Sequence, residues 1–126
     1  MRPTTLDELA WLHDCVLWEL SYDTSETSSR SIKLRLQCPS DLGYAPWEGK
    51  ELLLVAGDVA AAKHTVWGVA GPEAIDAVRP GVSEALKDAM AQARTSGVRF
   101  PDLAFTIYFH SGSDIEIVCG DLQVDI

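Results

Sequence analysis

Apolar and polar residues alternate most cleanly over Ser31–Cys38, where Ile32, Leu34, Leu36 and Cys38 share one parity and Lys33 and Arg35 the other. A period of two is that of a half-exposed β-strand. The same period runs through residues 16–22, with Val16, Trp18, Leu20 and Tyr22 on one face and Cys15, Leu17, Glu19 and Ser21 on the other. Taking Val16 and Trp18 inward makes the even-numbered face the core face. The polar stretch 23–29 between these strands is a loop or hairpin connection. Leu52–Ala56 is continuously apolar, which predicts a strand buried on both faces. Gly57-Asp58 interrupts it as a bulge or turn, and residues 59–69 continue it or begin a new partner. Residues 103–109 and 114–119 alternate on either side of Ser111-Gly112-Ser113, the pattern of a hairpin. Beyond Gly120 the apolar parity reverses, from Ile115 and Ile117 to Leu122, Val124 and Ile126. A reversal without a bulge would turn every side chain over, so Gly120 is expected to carry one.

Helical signals are fewer. Thr5-Leu6-Asp7-Glu8 fits a capping box, and a short helix follows, to Trp11. Gly71-Pro72-Glu73 predicts a second short helix through Val78. Val82, Leu86, Ala89, Met90 and Ala93 form one apolar stripe at helical spacing, with Gly97 as a stop. That main helix is the expected cover for the second face of the sheet. The loop 41–49 carries Tyr44 and Trp47, whose rings are expected to tuck over a sheet edge. The fold class predicted is α+β, with residues 1–126 forming a single domain. It has a curved, mostly antiparallel sheet of about five or six strands, one main helix packed on a face and short helices at the ends.

Charge changes the functional picture. The chain of 126 residues has 19 acidic and 10 basic side chains, a formal net charge of -9. The bases are spread along the sequence, so a phosphate backbone or an anionic lipid surface would repel it, which argues against nucleic acid and membrane as partners. No stretch approaches the roughly 20 apolar residues of a membrane span. The three cysteines, Cys15, Cys38 and Cys119, make no C-x-x-C pair. An odd count fits a reducing compartment, and a cytoplasmic location is expected. A basic protein partner is compatible with the charge.

Reactive side chains crowd at only one place, Leu12-His13-Asp14-Cys15. His13 and Cys15 share a parity, and with His64 or His110 they offer zinc-type ligands, but no metal-binding spacing is present. A Cys–His nucleophile is disfavoured because Asp14 and Glu19 flank Cys15 and Asp121 follows Cys119, and negative neighbours raise a thiol pKa. Asp14 is expected to be structural, accepting backbone N–H bonds that tie the first helix to the first strand. Neither catalytic residues nor a metal site nor a cofactor is assigned.

The run Leu12-His13-Asp14-Cys15-Val16-Leu17-Trp18-Glu19-Leu20, with Ile32–Leu36 and Asp114–Cys119, resembles small bacterial domains that open on an L-H-D motif, continue through an antiparallel hairpin and end in an acidic hydrophobic strand. Most of those domains have no assigned function, and some are immunity proteins of polymorphic toxin systems. The resemblance covers the first and last quarters of the chain and implies no catalytic residues. The function expected is non-enzymatic protein binding, in the immunity-type version by an acidic face docked on a basic partner. Tyr44, Trp47 and Trp67 are candidate anchors, and Asp114, Glu116, Asp121 and Asp125 the candidate acidic field. Two alternatives are a small-molecule binder or enzyme with a pocket between helix and sheet, with His64, His110 and Tyr108 in it, and a homo-oligomer subunit joined through an open strand edge.

Overall fold

The computed structural model describes residues 1–23, 30–66 and 72–126. The expected α+β arrangement of about five or six strands under a main helix is overturned: among the described residues the fold is mostly sheet, nine strands in one antiparallel arrangement, with two short α-helices. The strands are β1 (Arg2–Pro3), β2 (Val16–Asp23), β3 (Ser31–Gln37), β4 (Glu51–Gly57), β5 (Ala61–Thr65), β6 (Glu73–Pro80), β7 (Leu103–Phe109), β8 (Asp114–Cys119) and β9 (Asp121–Asp125). The helices are α1 (Leu6–Leu9), continued by a 3-10 turn at Ala10–Leu12, and α2 (Glu84–Thr95).

Pairing follows the order β1-β9-β4-β3-β2-β6-β7-β8-β5. Its far strands are joined in sequence, because β4 runs into β5 and β8 into β9. The β4–β9 ladder ends at Gly57↔Asp121, and the β5–β8 ladder resumes at Ala61↔Val118, one residue out of step. Ala60 N–H to Val118 O and Gly120 N–H to Gly57 O carry the hydrogen bonding across the step. The pairing therefore returns on itself, and the sheet curls into a barrel-like circuit. The parity reversal at Gly120 falls at this step, but the extra residue is not Gly120: residues 58–60 stand opposite only 119 and 120, so the insertion lies on the β4–β5 side, while Ile115, Ile117 and Cys119 before Gly120 and Leu122 and Val124 after it are all buried.

The interior is mostly apolar. Leu34, Leu36, Leu52, Leu54, Ile75, Phe105, Ile107, Ile115 and Ile117 fill it from the strands, and Leu9 and Leu12 from the α1 region. Thr5 caps α1 by accepting from Glu8 N–H, the first half of a capping box. At β3 the alternation holds as read, with Lys33 and Arg35 outside.

Three local expectations are corrected. At β2 the core side chains are Leu17 and, just before the strand, Cys15, while Trp18 is 63% exposed. The register against β3 shifts between Leu17 and Glu19, so an extra residue at Trp18 turns the strand over and Leu20 pairs with Leu34. Outer residues Leu53 and Val55 of β4 are only half-buried, so that strand is not sealed on both faces. The short helix expected from Pro72 to Val78 is the strand β6, because pairing of Ile75, Ala77 and Val78 with Phe109, Tyr108 and Ile107 overrides a weak local helix signal. The polar connection 24–29 lies outside the described residues.

The helix α2 is pinned outside β7 and β8 rather than layered over the sheet. Its stripe buries Met90 alone; Ala89 is exposed and Leu86 and Ala93 half-exposed. What fastens its start is polar: Ser83 N–H donates to buried Glu116 at 2.5 Å, and Thr106 Oγ1 donates to Gly81 O at 2.8 Å. Its end follows the glycine stop, with Gly97 at φ +88° and bonds from Gly97 N–H to Arg94 O and Val98 N–H to Ala93 O. These are the paired bonds of a Schellman motif.

Candidate functional site

The corner where β2, β6 and β7 meet gathers side chains that are far apart in sequence. Its backbone is locked by Asp14 N–H to Ile75 O, Ile75 N–H to Cys15 O and His110 N–H to Ala74 O. Asp14 turns the chain from the 3-10 segment into β2 with φ +66°, a left-handed conformation that Asp tolerates better than most side chains. This aims its carboxylate outward, where the side chain is 65% exposed. His110 Nε2 donates to Asp14 Oδ1 at 3.1 Å, and His110 Nδ1 lies 3.6 Å from Asp76 Oδ1. On the other side His13 Nδ1 lies 3.6 Å from Asp14 Oδ2. The hydrogen bond from His110 holds the Asp14 carboxyl below its usual range, against a smaller opposing effect of burial.

Aromatic rings extend this row. Trp11 lies 6.4 Å from His13 and stacks on Tyr44 at 5.4 Å with planes 12° apart. Tyr44 in turn meets Trp47 edge-on at 5.0 Å. Its hydroxyl donates to Glu8 Oε2 at 3.1 Å, which also takes Arg2. Burial and the Glu8 carboxylate both raise the Tyr44 pKa. The result is a continuous strip, Tyr44–Trp11–His13–Asp14–His110–Asp76, with an aromatic half and an imidazole–carboxylate half. Beside it Ser111 Oγ donates to Glu73 and lies 3.1 Å from Ser113 Oγ, so this hydroxyl is engaged by a carboxylate rather than by His110. A shallow concavity of about 510 Å³ lies along Asp76, Arg79, Tyr108, His110 and Ser113.

The candidate residues from sequence separate on this map. Tyr44 is in the strip. Trp47 is fully buried in the core, which removes it as a surface anchor. Trp67 lies outside the described residues. Glu116 is 3% exposed and committed to the Ser83 N–H, which removes it from any acidic field. Asp121 and Asp125 are exposed on β9, and Asp114 is half-buried at the start of β8. The span from Asp114 to Asp125 along the ribbon is about 36 Å at ~3.3 Å per residue, so these acids form no single cluster.

The chemistry weighed for His13 and Cys15 also separates. His13 is at the surface while Cys15 is fully buried, so the two do not converge. His64 is exposed on β5, opposite Ile115 and away from His110. No group of three or more metal ligands occurs among the described residues. Cys15 donates to Cys38 across 2.7 Å, and this bond with burial raises its pKa far out of the physiological range. Burial, then Asp121, pushes Cys119 up to about 12. Asp14 is corrected as well: it pairs with imidazoles in the open instead of accepting backbone N–H bonds. Sequence reasoning passed over Trp11, Asp76 and the Asp14–His110 pair. The one usable signal was that Asp14 precedes one strand and His110 follows another, so both stand at strand mouths.

No described helix is long and apolar enough to cross a membrane. Comparison with protein-family models, curated proteins and solved structures found no match.

Proposed function

We propose that this domain binds a basic protein partner without catalysing a reaction, and that the strip Tyr44–Trp11–His13–Asp14–His110–Asp76 is the contact surface. One observation carries the reading: an exposed indole, pre-stacked on a half-buried phenol ring, lies in one row with two outward carboxylates on a chain of net charge -9. A lysine or arginine finds both of its usual partners there, a π-face and a carboxylate. Stacking fixes the Trp11 ring beforehand, which lowers the ordering cost of binding. The long-range charge of the domain raises the encounter rate with a basic surface. The immunity-type role implied by the resemblance is the special case in which the partner is a basic toxin.

The pocket-based alternative has less support. Among the described residues, concavities lie along strand and loop residues, such as Tyr22, Arg30, Ile32 and Val59 or Asp76, Tyr108 and His110. The carboxylates and imidazoles of the strip face open solvent, where an acid–base pair gains little from its surroundings.

The test is a titration of isotope-labelled protein with a short peptide rich in lysine and arginine, followed by amide and indole NMR shifts. The expected result is saturable shifts at Trp11, Asp14 and His110, weakened by salt, with none from a glutamate-rich peptide. Shifts spread evenly over all acidic positions, or absent from the strip, would overturn the proposal. The variant Trp11→Ala/Asp76→Asn should weaken binding about tenfold or more while leaving thermal unfolding nearly unchanged.

A further inference from the structure

Two thiols meet at the mouth of the β2–β3 hairpin. Cys15 precedes β2 and Cys38 follows β3, and one step beyond the Val16↔Gln37 pair sets them opposite each other. Their backbone groups bond elsewhere: Cys15 N–H to Leu12 O, Ile75 N–H to Cys15 O, and Cys38 N–H to Lys50 O. They are therefore a non-hydrogen-bonded cross-strand pair, the kind whose Cα atoms lie about 4.5 Å apart. That spacing is within the range a disulfide spans. The sulfurs are already in contact, and both residues are buried, at 0% and 1% exposure. The third cysteine, Cys119, stands on β8.

We propose that Cys15 and Cys38 are a modification site that closes to an intramolecular disulfide when the protein meets a low-molecular-weight disulfide. The thiolate of Cys38 attacks one sulfur of the small disulfide; its S–S bond breaks, and one small thiolate leaves and takes up a proton. The sulfur of Cys15, losing its proton, then attacks Cys38 Sγ and displaces the second small thiol. Two protein thiols and one small disulfide become one protein disulfide and two small thiols. The hydrogen bond donated by Cys15 favours the thiolate on Cys38. Because both sulfurs are sealed, the reaction waits for local opening of the Leu12–Cys15 turn. The closed bridge would hold the strand mouth that carries Asp14.

The test incubates reduced full-length protein with oxidised glutathione, natively and in urea well below the unfolding transition. Alkylation in strong denaturant, intact mass and peptide mapping follow. The expected product links the Cys15 and Cys38 peptides, leaves only Cys119 alkylated, forms about tenfold faster in mild urea and reverts with dithiothreitol. Its unfolding midpoint should lie above that of the reduced protein. Cys119→Ser should behave as the parent, whereas Cys15→Ser should stop at a glutathione adduct on Cys38 or remain unmodified. Three alkylated cysteines under both conditions, a link through Cys119, or a crosslinked form less stable than the reduced one would overturn the proposal.

Discussion

Replacing Trp47 by alanine separates two roles that its place in a loop leaves open. As a surface anchor it would matter for binding and little for stability. As a core residue it should behave in the opposite way. Its ring is fully buried, against Tyr44 and the core cluster. Burying roughly 250 Å² of a tryptophan at about 25 cal/mol/Å² stabilises by at most ~6 kcal/mol. Against this, the indole N–H has no hydrogen-bond partner among the described residues, a burden of about 1–3 kcal/mol. The net expected loss for Trp47→Ala is about 3–5 kcal/mol, the usual range for emptying a tryptophan site. With a urea slope of about 2 kcal/mol/M, the midpoint should fall by about 2 M. Trp47→Phe keeps a ring beside Tyr44 and removes the orphan N–H, so it should cost less than half as much. Equilibrium urea unfolding followed by far-UV circular dichroism measures both. A Trp47→Ala loss within about 0.5 kcal/mol, the level of an ordinary surface change, would refute the placement of this loop in the core.

Other expectations test the corner, the closure and the helix end. Gly120→Ala would put a methyl group 2.9 Å from Asp58 Cβ and should cost about 1–3 kcal/mol. Asp58→Gly removes that atom and relieves a residue at φ +50°, so the double variant should recover most of the loss; simple additivity in urea unfolding would count against it. Gly97→Ala, at φ +88°, should lower stability by about 1 kcal/mol in thermal unfolding, with no change in any strip-dependent binding. For Asp14 the folded pKa lies below the ordinary 3.8, so its contribution is present above that value and lost as pH falls through the folded one. Asp14→Asn should therefore be less stable than the parent near about pH 7, with the gap narrowing as pH falls below the ordinary 3.8 through the folded value. Urea midpoints across pH measure this, and the gap should close in a His110→Ala background.

Where one sequence signal decided an element, the fold was legible. Ser31–Cys38 has a polar side chain on every outward position, charged at Lys33 and Arg35, and no other phase is compatible with burial. The parity reversal at Gly120 marked a step in the ladder, because both flanking segments had apolar faces to bury, but the inserted residue lies on the opposite strand, at 58–60, where the pattern left no mark. Where two conformations competed at similar cost, the pattern misled. Pro72 with alanines nearby suits a helix start, but partners on β7 were invisible in the local sequence. Over Val16–Tyr22 both parities hold apolar residues, so a bulge at Trp18 left no mark. Ala61–Thr65 has no alternation and is a strand because β8 offers it a ladder. The helix stripe was real in spacing, but alanines bury little area, and the polar contacts of Glu116 and Thr106 do the fastening.

The site was less legible than the fold for a related reason. The distance that matters, from Asp14 to His110, is set by two ladders at once. Val16↔Ala74 places β6 beside the mouth of β2, and Ile75↔Phe109 places the end of β7 beside β6. A slip of one residue in either ladder would move His110 off the carboxylate and turn alternate side chains over. That couples the strip to the barrel closure more tightly than to its own residues. Substitution of a strip side chain should alter binding and leave the sheet intact, whereas a change at the β2–β6 contact should alter both. Ala74, half-buried between Val16 and the His110 amide, is where those two consequences meet.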